Sequence, residues 1–122
     1  MKLFLILGVM NGFLAVALGA FGAHGLEGKV SEQSLKTWEK AVNYQMFHTM
    51  ALLVVGVLRS KFQSGTLTVA GWLFFIGILL FSGSLYFYST TGIKGLAMIT
   101  PFGGVTFLIG WVILGYAIMK FV

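Results

Sequence analysis

The sequence predicts an all-α integral membrane protein, a four-helix bundle with a short amphipathic segment ahead of the second span. Three observations carry that reading. Charged residues make up 9% of the 122 and hydrophobic ones 58%, whereas a soluble domain carries roughly 25% charge. The mean hydropathy is +0.97. Four apolar stretches, at about 3–23, 41–58, 67–88 and 101–119, are separated by brief polar punctuation. About 20 helical residues cross roughly 30 Å of hydrocarbon, and a helix satisfies its own backbone where lipid offers no water. The alternation expected of barrel strands is absent. Residues 1–122 read as a single transmembrane domain, too apolar to stay disordered.

The first stretch opens after Met1-Lys2 and ends near Ala20-Phe21-Gly22-Ala23. It imitates a signal peptide with a small-residue cleavage site, but the apolar run exceeds the usual length and reads as the first helix. Gly8, Gly12, Ala15, Gly19 and Gly22 form a stripe along it at spacings of three and four. Such glycines cost a soluble helix about 1 kcal/mol each, yet in membranes they let backbones approach closely.

The second helix is expected to start before its apolar part. Ser31 can cap it, Glu32 suits the first turn, and Leu35, Trp38 and Val42 recur at helical spacing. Residues 31–41 thus read as an amphipathic segment at the interface, with Trp38 at headgroup level. In the third helix Gly77 and Ser84 continue the small-residue pattern, and Trp72, Tyr86 and Tyr88 read as aromatic belts. The fourth helix is expected to start with Thr100 as N-cap and Pro101 at the first position. The apolar Gly95–Ile99 before it would tuck against the bundle. Gly103, Thr106 and Gly110 repeat the packing stripe, and Trp111, near mid-span, is expected inside or at a subunit contact. Whether the glycine contacts fall within one chain or between chains stays open.

With four spans both termini share a side, which holds Lys2, Arg59, Lys61 and Lys120 and no acid. The other side holds Lys29, Lys36, Lys40 and Lys94 with Glu27, Glu32 and Glu39. Arg59 and Lys61 abut a helix end, so both termini are expected in the cytoplasm.

The apolar stretches contain no carboxylate, lysine or arginine, which argues against proton- or cation-coupled transport. His48 is the one ionisable side chain well inside them. At about 1.5 Å per residue, His24, Tyr44, Gln45, His48, Ser82, Ser84 and Thr100 share one layer on the side away from the termini, and Asn11 lies deeper. Leu52, Val55, Leu73 and Leu114 line the other half. The layer is either structural glue between helices, the preferred reading, or a one-sided pocket. His24 and His48 with Glu27 or Glu39 form no characteristic metal or haem spacing, so no metal or cofactor is expected. Ser82-Gly83-Ser84 is no nucleophile elbow, there is no cysteine, and no enzyme is expected. The net charge of +5 is scattered at helix ends and offers no nucleic-acid stripe.

In order along the chain stand Gly19-Ala-Phe-Gly-Ala-His-Gly-Leu26, Trp38, Ala41, Tyr44-Gln45, His48, Leu80-Phe-Ser-Gly-Ser-Leu-Tyr86, Ile99-Thr-Pro-Phe-Gly-Gly104 and Gly110-Trp111. This combination resembles the YwdK/YgdD-like family of small bacterial inner-membrane proteins, a domain of unknown function, over essentially the whole chain. The resemblance implies a four-helix protein of the bacterial cytoplasmic membrane and supplies no reaction or substrate. The function expected is a non-enzymatic membrane protein that binds lipid or a protein partner, which includes a second copy of itself, or supports the membrane. A small-solute transporter or channel component is the alternative, and a haem or metal protein a further one.

Overall fold

The computed structural model describes residues 2–122. Among them the chain forms four helices, α1 (Leu3–Leu26), α2 (Glu32–Lys61), α3 (Gly65–Thr91) and α4 (Lys94–Phe121), each long and apolar enough to cross a membrane. The turns between them are short because their caps are local. Ser31 Oγ accepts the Ser34 amide at 3.0 Å at the start of α2, and Ser64 Oγ accepts the Leu67 amide at 3.3 Å at the start of α3. Gly92 closes α3 with φ 72°, a left-handed conformation that only glycine adopts readily, and its amide donates to the Tyr88 carbonyl at 2.8 Å.

Of two expectations about helix starts, one is met and one needs correction. Residues 31–41 form the opening turns of α2 and run on into its apolar part, as Ser31 and Glu32 predict. Trp38 in these turns is 6% exposed, and its indole N–H donates to the Leu18 carbonyl at 2.8 Å. Gly22 makes room for that ring, as a Cβ there would sit 2.5 Å from the indole. The fourth helix begins at Lys94, not at Thr100, and carries Pro101 inside it. Gly95–Ile99 supplies its opening turns, with Met98 72% exposed, so that segment does not tuck against the bundle. Proline has no N–H and forgoes one helical bond, a loss that neighbouring groups make tolerable in membrane helices. Thr100 reaches across to α3 instead of capping.

α2 and α3 are the inner pair. α1 packs along α2, and α4 packs along α3. Each outer helix touches the second inner helix only sparingly, which leaves a cleft on either flank. Toward the termini an apolar core of Phe4, Leu52, Val55, Leu67, Phe74 and Leu114 closes the bundle. Lipid tails are as apolar as these side chains, so close contact rather than water exclusion holds the helices together. Rings seated on glycines supply it: Phe4 on Gly71, Phe74 on Gly110 and Phe107 on Gly77. A Cβ at Gly103 would run into the Phe81 backbone, so α3 and α4 cross closely there. On α1, a Cβ at Gly8 would meet Leu53 at 2.6 Å, one at Gly19 would meet Val42 at 3.3 Å, and Gly12 has more room, with Thr49 at 3.5 Å. Helical turns widen to π geometry at Gly22–Leu26 and at Leu79–Gly83.

Candidate functional site

The larger cleft is a groove of about 620 Å³ between α2 and α4. Its walls are aromatic, with Tyr44, Phe47 and His48 from α2, Phe81 from the π turn of α3, and Phe107 and Trp111 from α4. His48 forms its floor at 3% exposure. The Trp111 indole N–H donates to His48 Nε2 at 3.1 Å, so Nε2 carries the lone pair. The ring proton then sits on Nδ1, which donates to the Tyr44 carbonyl at 2.8 Å. Both ring nitrogens are therefore committed to protein. The imidazole also stacks on Phe107, with centroids 3.5 Å apart and planes within 6°. Phe47 and Leu108 form the rim, 61% and 67% exposed. Gly104 leaves the wall open, since a Cβ there would come no closer than 3.9 Å to Phe81.

The smaller cleft, about 310 Å³, lies between α1 and α3 on the opposite flank of α2. Asn11, Gln45, Ser82 and Tyr86 bring polar groups to it. Gln45 is the hub. Its Nε2 donates to Asn11 Oδ1 at 3.0 Å, and its Oε1 accepts the Tyr86 hydroxyl at 2.6 Å. Asn11 Nδ2 donates to the Leu7 carbonyl at 2.8 Å. Ser82 Oγ donates to the Ala41 carbonyl at 2.7 Å, which ties α3 to α2. Trp38 sits edge-on to Tyr86, with centroids 4.6 Å apart.

The polar residues expected in one layer are thus divided by the inner pair of helices. Tyr44 and His48 face the groove, while Gln45 and Ser82 face the smaller cleft. Ser84 and Thr100 meet each other at 2.6 Å where α3 crosses α4, and Ser84 also donates to the Phe81 carbonyl at 2.9 Å. His24 is exposed on the π turn that ends α1 and belongs to neither cleft. The expected meeting of His48 with His24 and Ser84 is therefore corrected: its partners are Tyr44 and Trp111. Tyr86, expected in an aromatic belt, instead turns its hydroxyl inward to Gln45. The partner amide Asn11 had a signal in the sequence, being a carboxamide deep in an apolar span. Among the described residues no three His, Asp or Glu side chains converge as metal ligands would.

A family model described as a protein of unknown function (DUF423) matches residues 18–104. A UPF0382 membrane protein of Staphylococcus aureus (strain bovine RF122 / ET3-1) is 55% identical, and the match covers 99% of this chain and 98% of that protein. The UPF0382 membrane protein YwdK of Bacillus subtilis (strain 168) is 52% identical, with 99% of each chain covered. A Staphylococcus haemolyticus relative (strain JCSC1435) is 50% identical over 100% of this chain and 99% of its own. No solved structure matches.

Proposed function

Since the chain belongs to the DUF423 family of membrane proteins, we propose that it is a non-enzymatic lipid-binding protein that holds an acyl or isoprenoid chain in the groove between α2 and α4. The observation that carries this reading is the aromatic groove of about 620 Å³ whose buried histidine has both nitrogens already paired. Apart from the Asn43 amide and the Tyr44 hydroxyl, the lining of the groove is apolar. Its mouth lies along the apolar stretches, where the surrounding solvent is hydrocarbon, and its volume falls within the roughly 300–1,000 Å³ of small-molecule sites. Fixed rings give a chain more contact than mobile aliphatic side chains would. Ion-coupled transport fits less well, because the apolar stretches hold no acid, lysine or arginine and His48 has no free nitrogen.

The test is Gly104→Leu. Leucine would fill the groove from its wall without meeting backbone, because the nearest atoms lie 3.9 Å from the new Cβ. Mass spectrometry of lipids retained after detergent purification should show a tightly held species lost from the variant. An unchanged lipid complement in the two proteins contradicts the reading.

The same proposal places the protein in the bacterial cytoplasmic membrane with both termini in the cytoplasm. Support comes from Arg59 and Lys61 at the very end of α2 and Lys2 directly ahead of α1, where basic residues weigh most. Single cysteines at exposed Gln63 and Thr91 should label from opposite sides of intact cells, Thr91→Cys alone from outside. Labelling of Gln63→Cys alone from outside reverses the orientation, and labelling of both from one side contradicts four spans.

A further inference from the structure

We propose that the cleft between α1 and α3 is a second site, which takes the ring of an isoprenoid quinone and holds its carbonyl oxygen with the side-chain amides of Asn11 and Gln45. The argument starts from a donor count. Each carboxamide nitrogen carries two hydrogens. Gln45 spends one on Asn11 Oδ1 and Asn11 spends one on the Leu7 carbonyl. One N–H on each remains uncommitted, on side chains 4% and 6% exposed that line the same cleft. Hydrocarbon cannot satisfy either hydrogen. The Gln45 and Asn11 side-chain oxygens already accept protein donors, so the floor offers chiefly donors. Its complement is a hydrogen-bond acceptor on an apolar body.

Depth selects among such molecules. Asn11 lies about 12 Å along α1 from Leu3, and Gln45, about 6 Å past the start of the apolar stretch at 41, reaches it at 3.0 Å. The Asn11 amide therefore sits well inside the roughly 30 Å hydrocarbon layer, and the Gln45 side chain reaches inward to meet it. The ester carbonyls of diacyl lipids stay at the interface, whereas a quinone ring dissolves in the interior. The cleft is about 310 Å³, and its rim residues Met10, Leu14 and Leu79 are 55%, 44% and 56% exposed. A bilayer-dissolved ring can enter sideways between them.

Trp38 beside Tyr86 provides the probe. The full chain in detergent is titrated with a naphthoquinone bearing two isoprene units, and tryptophan quenching is followed. The expected result is saturable quenching, with affinity falling about tenfold in Asn11→Leu and in Gln45→Leu for each lost hydrogen bond. Leu14→Phe, which crowds the cleft from its rim, removes no polar group and adds no fluorophore that the assay reads, should also abolish saturation and keeps the test open if an amide variant fails to fold. Gly104→Leu should bind as the wild type does, so this site and the groove can fail separately. Purely linear quenching, or affinity unchanged in both Leu14→Phe and the amide variants, overturns the proposal. Displacement of the quinone by a short-chain diacyl phospholipid at equal concentration overturns it in favour of an ester carbonyl.

Discussion

The two clefts flanking α2 treat buried polar atoms in opposite ways. In the groove toward α4, His48 gives one nitrogen to the Tyr44 carbonyl and the other to Trp111, and stacked rings cover what remains. In the cleft toward α3, Gln45 joins two helices through Asn11 and Tyr86, yet both amides keep a hydrogen in reserve. A polar side chain in hydrocarbon must find partners somewhere. Where protein pairs the buried ring completely, the surface left behind is mostly apolar and suits a chain. Where protein supplies only some, the remainder selects a partner by chemistry. On the two proposals, the two flanks of one helix recognise different parts of the lipid phase.

The strongest way to break the comparison is at the crossing that builds the groove. Gly103→Leu would drive a side chain into the Phe81 backbone and should cost about 3 kcal/mol or prevent folding, read by thermal unfolding in detergent. Near wild-type stability would mean that α3 and α4 do not cross closely there. His48→Ala should cost about 2 kcal/mol, from two hydrogen bonds and an aromatic stack. His48→Gln should recover part of this, because its amide oxygen can still accept from Trp111. Gln45→Leu should cost less, about 1 kcal/mol, because its site is only partly a brace. If Gln45→Leu proved more damaging than His48→Ala, the smaller cleft would be the structural one and the contrast would reverse. Gly12→Ala should change stability least, by under about 0.5 kcal/mol, because Thr49 lies 3.5 Å from the new methyl, whereas Gly22→Ala must displace the Trp38 indole.

Membership of the membrane class and the number of helices were legible in the sequence because hydrocarbon leaves the backbone so few options. The start of α2 was legible too, through Ser31 and Glu32. The start of α4 was not, since Thr100-Pro101 has the chemistry of a helix N-terminus, and only the contact between Thr100 and Ser84 shows that residue at work inside a helix. The heights of polar residues could be read by counting rise per residue, but counting gives no azimuth. Tyr44 and Gln45 are neighbours about 100° apart on one helix, and that rotation sends them to opposite clefts. Asn11 and Tyr86 were visible as polar groups, yet their shared partner depends on how α1 and α3 lean on α2.

The most direct test of the groove is photo-crosslinking in membranes that contain a phospholipid with a diazirine on its acyl chain. The groove account predicts adducts concentrated at 43–48 and 104–111, and their loss from those peptides in Gly104→Leu. On α1, Phe13 and Val16 are 74% and 65% exposed and serve as the reference for ordinary lipid contact. Labelling of those residues as strong as that of the groove, and unchanged in Gly104→Leu, would contradict it.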